Sequence, residues 1–174
     1  KEVPTLETSE RVPINPYGQT KLEDEYLAEK FSKNDTSIIG LRYFNIYGKG
    51  QSDSYAGVIT KFLKNALEKK QLKINGDGSK IRDFVYVGDV VHANLLAMES
   101  KIKFGFINIG TGKPITILKL ANMIIEKFGL NLKPSFSKPL DGEITTSLGN
   151  IGLAKKLLSW TPNAKLEDWI ESQV

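Results

Sequence analysis

A tyrosine followed four residues later by a lysine can act as a base with a cation beside it. The stretch NPYGQTKLEDEYLAEK, residues 15–30, offers that spacing twice, as Tyr17 with Lys21 and as Tyr26 with Lys30. In a lysine-rich chain with six tyrosines such a pair arises readily by accident, so position must decide between them. Asn15 and Pro16 read as a helix start: a capping side chain, then a residue whose missing N–H is not needed in the first turn. The helix then runs from about Tyr17 to Ser32. At about 100° per residue Tyr17 and Lys21 share a face, whereas the step from Tyr17 to Tyr26 is roughly half a revolution. The two pairs look in opposite directions, and only the first sits where the chain enters the helix. A tyrosine of ordinary pKa near 10 is a poor base at neutral pH, and bringing it to about 7 takes roughly 4 kcal/mol of preferential phenolate stabilisation. Lys21, one turn away, can supply positive charge toward that end.

Arg82, beside Asp83 at the entry to an apolar strand, has a planar guanidinium that can grip a diphosphate through paired hydrogen bonds. A structural salt bridge is the alternative. His92 is the only histidine, which excludes a histidine-rich metal site, and it reads as one side of the helix DVVHANLLAM. The absence of cysteine removes disulfides, thiol catalysis and thiolate metal sites together. It fits a reducing, cytoplasmic setting.

A chain of 174 residues is one ordinary domain, long enough to bury roughly 70% of the unfolded surface. Its 40% hydrophobic and 25% charged content is that of a globular protein, and no apolar run approaches the ~20 residues of a membrane span. The polar start KEVPTLETSERVP shows no signal peptide. A net charge of +4 and a pI near 9.1 raise the question of nucleic acid. The lysines, however, are scattered among acids in segments such as KFLKNALEKK and read as solvated faces, with no nucleic-acid partner expected.

The elements that must position these residues alternate. After the first helix comes TSIIGLRYF, a continuous apolar run suited to a parallel strand covered on both faces. A helix near Gly57 to Lys70, a short strand around LKI and the reversal NGDG follow. Then come the strand RDFVYV, the helix GDVVHANLLAMES, the strand FGFINIG and an amphipathic helix opened by Thr116 and ended by Gly129. Shorter helices near Leu153 to Trp160 and over LEDWIESQV close the chain. This order indicates an α/β architecture. The run with Ile38, Ile39 and Leu41 lacks obvious strand partners before it, so a front portion is expected to be missing and an open sheet edge to be available for pairing.

Five ordered segments, PINPYGQTK, LRYFNIYGKGQ, AGVITKF, INGDGSKIRDFVYVGDV and FINIGTG, resemble the extended short-chain dehydrogenase/reductase family, specifically its nucleotide-sugar epimerases and dehydratases. The resemblance implies the C-terminal part of a Rossmann-like parallel sheet plus a small α/β substrate-binding domain. Residues 1–50 would be the remnant of the NAD-binding domain and 51–174 mainly the substrate domain, with a return of 83–100 to the first sheet as an option. It also implies that Tyr17 takes a proton from a sugar hydroxyl while hydride passes to NAD, and that Lys21 also holds the nicotinamide ribose. Asn45 and Arg82 would contact the diphosphate of a nucleotide sugar, with Val58, Ile74 and Asn75 near its base. Phe44 resembles a residue packing near nicotinamide and could equally be core. A homodimer through two helices, including that of Tyr17, is implied too.

Two departures stand out. The family's glycine-rich strand–turn–helix has no match, since GTGKP comes late and reads as a turn, so the N-terminal half of the fold and its catalytic serine or threonine are expected to be absent. Leu140 stands where the family often has an arginine, and Asn150 where it has an aspartate. The expectation is part of an NAD-dependent nucleotide-sugar 4-epimerase of the UDP-glucose or UDP-N-acetylglucosamine type, inactive alone. A heptose-type 6-epimerase or a 4,6-dehydratase is the alternative within the family, and a non-catalytic nucleotide-sugar or partner-binding module is the alternative outside it.

Overall fold

Asn15 and Pro16 start the first helix as their chemistry requires. In α1 (Pro16–Phe31) the Asn15 side chain accepts the Gly18 N–H at 2.8 Å, and proline occupies the first turn. The computed structural model describes residues 3–32, 36–51, 57–140 and 142–173. Lys1 and Glu2 of the polar start, Ala56 of AGVITKF, Asp141 and Val174 lie outside them. The run TSIIGLRYF yields β1 (Ile38–Tyr43), which pairs in parallel with β6 (Phe104–Ile109), Ile38 opposite Phe104 and Tyr43 opposite Ile109. Among the described residues β1 pairs with β6 alone.

One expected strand is broken, and another strand begins in what reads as a loop. After Phe44 the chain steps to β2 (Asn45–Tyr47), which pairs in parallel with β5 (Phe84–Tyr86) in a second sheet. RDFVYV divides at Asp83 into β4 (Ile81–Arg82) and β5. The cause lies in the hydrogen bonds: Phe44 N–H goes to the Ile109 carbonyl at 3.0 Å, whereas Asn45 N–H goes to that of Asp83 at 2.9 Å. Asp83 is fully buried, and its carboxylate accepts from Thr111 N–H (2.7 Å), Thr111 Oγ1 (2.6 Å), Gly112 N–H (3.0 Å) and Gly149 N–H (3.2 Å). A buried carboxylate must be surrounded by donors, and gathering two loops around one residue interrupts the strand there. The GTG segment is thus a turn, with a structural task.

The remaining strands are short. β3 (Lys73–Asn75) pairs in parallel with β8 (Ser135–Ser137), and β4 lies between β7 (Ile115–Thr116), antiparallel, and β9 (Thr146–Ser147), parallel. The NGDG reversal puts Gly76 and Gly78 at φ of 85° and 81°, conformations that side chains resist. α2 (Val58–Leu67) stops before Lys70 because Lys69 turns left-handed at φ 52°. α3 (Val87–Glu99) follows β5, and exposed His92 lies on it. α4 (Ile117–Lys127) opens on the Thr116 side chain, which accepts the Lys119 N–H, and Gly129 follows it at φ 58°. α5 (Gly152–Leu158) ends at left-handed Ser159, short of Trp160, and α6 (Leu166–Glu171) closes the fold.

Two apolar cores result. One gathers Phe62, Leu72, Ile74, Phe84, Leu120 and Ile170, and the other Val85, Ala93, Ile107, Ile109, Ala154 and Trp160. Strand alternation sends the neighbours Phe84 and Val85 into opposite cores, which welds the two together across β5. α1 contributes fully buried residues to neither. It is held instead by charge. Arg42 of β1 grips Glu25 of α1 bidentately, Nε to Oε1 at 2.7 Å and Nη2 to Oε2 at 2.8 Å, and its Nη1 donates to the Glu7 carbonyl. Arg11 adds bonds to Glu25 and Glu29. No described helix is long and apolar enough to cross a membrane.

Candidate functional site

The first turn of α1 faces a cleft of about 800 Å³ whose walls include Tyr17, Lys21, Phe44, Asn45 and Val58. Tyr17 is 73% exposed, and the Lys21 ammonium lies 5.9 Å from its ring centroid while bonding Asp24 at 2.7 Å. The hydrogen bond to Asp24 holds the Lys21 pKa above its usual value. The helix start adds the positive end of its dipole beside Tyr17. Both positive charges are screened by water as long as the pair stays exposed, and excluding water strengthens them. Tyr26 and Lys30 are absent from the cleft walls, and Tyr26 instead packs under the Arg11 guanidinium at 5.1 Å.

Phe44 is partly buried and does two things. Its ring lines the cleft and also covers Gly149 and Gly110, where a Cβ would come within 2.4 Å and 3.1 Å of ring carbons. Asn45 and Val58 also border a second chamber of about 560 Å³, which is walled by Ile74, Asn75 and Arg82 as well. The eight residues selected from sequence therefore line two adjoining chambers with a shared wall. Ile74 is a core residue, 1% exposed, so its side chain faces packing more than ligand. Asn75 is exposed and accepts the Ser137 hydroxyl at 2.8 Å.

The Asp83 carboxylate is taken by Thr111, Gly112 and Gly149, so the structural salt bridge weighed for Arg82 is met by Glu143 instead. Arg82 Nη1 donates to its neighbour's carbonyl, on Ile81, at 2.8 Å, and Nη2 stands 4.0 Å from Glu143. Burial lowers the Arg82 pKa from its usual value, with Glu143 working in the opposite direction. Sequence reasoning missed Lys80 and Glu143, an ion pair in the wall of this chamber. Lys80 lies two residues before Arg82, a weak signal, while the distant Glu143 gave none. Leu140 does line the chamber, and the Asn150 side chain, just before α5, accepts the Gly152 N–H at 2.8 Å.

The model of the NAD dependent epimerase/dehydratase family matches residues 1–110. The chain belongs to that family. It is 30% identical to the UDP-glucuronate 4-epimerase of Thermodesulfobacterium geofontis over 93% of its own length and 50% of the relative's. Among solved structures, the UDP-glucose 4-epimerase of Thermotoga maritima with UDP-glucose superposes with a TM-score of 0.91 at 38% identity, over 98% of this chain and 56% of that one. A UDP-glucuronic acid 4-epimerase mutant from Bacillus cereus, in complex with a fluorinated UDP-sugar and NAD, gives 0.92 at 33% identity, over 99% and 55%. The chain thus spans about half the length of the family members it matches.

Proposed function

We propose that this chain carries the proton-transfer pair and the nucleotide-sugar chamber of an NAD-dependent nucleotide-sugar 4-epimerase of the UDP-glucose or UDP-N-acetylglucosamine type, and that by itself it does not turn over. The reading is carried by one observation: Tyr17, Lys21 and Phe44 wall one chamber, Ile74, Asn75 and Arg82 wall the next, and Asn45 with Val58 belongs to both. A nucleotide sugar has a neutral sugar, an anionic diphosphate and a base, in that order. The chambers offer a base for a sugar hydroxyl, a guanidinium for the diphosphate and a mixed surface for the nucleoside.

In this mechanism the Tyr17 oxygen takes the proton from the sugar C4 hydroxyl, keeps it while the sugar is at the ketone level and returns it. Lys21 stabilises the phenolate by its charge. Leaving Asp24 for a ribose hydroxyl costs Lys21 little, since that ion pair is exposed. NAD, when bound, supplies a reversible hydride acceptor. The residues present fit its nicotinamide–ribose end, where Tyr17 and Lys21 sit at the lip of a cleft with Leu41 and Phe44 in its wall. The chain has no glycine-rich turn for the pyrophosphate end. Residues 1–50 would form the cofactor side and 51–174 mainly the substrate side. The shared core of Val85, Val90 and Ala93 with Ile107 and Ile109 supports the return of 83–100 to the cofactor side. The edge of β1 left without a strand partner among the described residues, and the exposed Tyr26, Leu27 and Phe31 of α1, are where we place pairing with the rest of the protein or with a second copy.

The test uses the full-length protein with NAD and either UDP-glucose or UDP-N-acetylglucosamine, scoring the C4 epimer. Tyr17→Phe is expected to cut kcat at least about a hundredfold, with Tyr26→Phe unchanged. A protein that binds nucleotide sugar but forms neither epimer nor reduced cofactor overturns the proposal in favour of a binding module.

A further inference from the structure

The second chamber is unbalanced in charge. Lys61, Lys64, Lys73, Lys80 and Arg82 line it, against Glu143 as the one acid among its described lining residues. Two of these cations are set apart by burial: the side chains of Lys80 and Arg82 are only 14% and 13% exposed. They are two positions apart at β4, and extended backbone sends such residues to the same face. Glu143 reaches both, through Oε2 in an ion pair with Lys80 and through Oε1 at 4.0 Å from the Arg82 Nη2. The segment bearing it is fastened beside β4, since Ile81 N–H donates to the Thr145 carbonyl at 2.9 Å and Ile81 lies opposite Thr146.

Two poorly hydrated cations need an anion, and with no ligand bound Glu143 is that anion. We propose that Lys80 forms with Arg82 a two-cation clamp for a diphosphate, and that Glu143 is an internal stand-in which the incoming ligand displaces. This rests on the reading of the chamber as the nucleotide-sugar site. A single phosphate that merely replaces the carboxylate gains little, whereas a diphosphate can present charge to both cations at once. Glu143 therefore raises the threshold for entry and selects for the diphosphate. Leu140, on the same wall, brings no cation of its own, so Lys80 carries the second charge.

Calorimetric titration of the NAD-saturated full-length protein with inorganic pyrophosphate and with orthophosphate tests this. Lys80→Met is expected to weaken pyrophosphate binding about tenfold or more, the loss of a charge-assisted hydrogen bond, with Lys80→Arg restoring most of it. Glu143→Gln is expected to tighten pyrophosphate by several-fold and orthophosphate much less, and to lose most of that gain in the Lys80→Met background. The inference is overturned if Glu143→Gln weakens or leaves unchanged the binding of pyrophosphate, or if Lys80→Met has no effect while Arg82→Met weakens it. If neither cation variant matters, the nucleotide-sugar reading of the chamber falls as well.

Discussion

Replacing Asp83 by alanine strikes the point where both sheets change partners. The carboxylate is fully buried and accepts four hydrogen bonds, three of them from the backbone N–H groups of Thr111, Gly112 and Gly149 and one from the Thr111 hydroxyl. The hydroxyl can rotate to another acceptor, but the three N–H groups are fixed. Each buried donor left without an acceptor costs about 1–3 kcal/mol, and a water entering the space left behind recovers part of that, so a total near 4 kcal/mol is expected. That is a large share of the 5–15 kcal/mol by which a typical domain is folded. Asp83→Asn should cost about half as much, because one oxygen is kept while an NH2 group is turned toward a donor. Urea unfolding followed by the fluorescence of fully buried Trp160 reports the change. Because the Asp83 carbonyl also holds Asn45 N–H and its neighbour is Arg82, ligand affinity should fall in the still-folded Asp83→Asn variant. A loss below about 1 kcal/mol in the alanine variant would refute the view that this carboxylate ties the loops together.

Gly149→Ala places a methyl 2.4 Å from the Phe44 ring and should cost about 1–3 kcal/mol, with Phe44→Leu in the same chain recovering much of it; an undiminished melting temperature contradicts this. Burial pushes the Glu25 carboxyl up, but hydrogen bonds from Arg42 and Arg11 outweigh it and leave the pKa below the ordinary 4.5. The stabilisation is therefore complete above about pH 4.5 and fades as the pH falls through the folded value. Glu25→Gln should flatten that acid limb in a pH series of unfolding free energies, and parallel curves for the two proteins would exclude the assignment. Asn15→Ala removes the acceptor of the Gly18 N–H and should cost about 1 kcal/mol, read as fraying at the Tyr17 end of α1 by hydrogen exchange.

Local chemistry wrote much of this protein into its sequence. Asn15 and Pro16 determined the start of α1, Thr116 and Gly129 the ends of α4, and NGDG its turn, because caps and turns are settled by a few adjacent residues. Helical geometry likewise separated Tyr17 and Lys21 from Tyr26 and Lys30. The breaks at Phe44 and Asp83 were not legible. Asp83 lies in a run that reads as one continuous strand, interrupted by donors on Thr111, Gly112 and Gly149 far along the chain, and the strand that resumes at Asn45 lies in what reads as a loop. The same holds for the ion pairs of Lys80 with Glu143 and of Arg42 with Glu25. Periodicity and capping depend on residues a turn or two apart, whereas a buried charge is satisfied by whichever donors the tertiary fold brings to it.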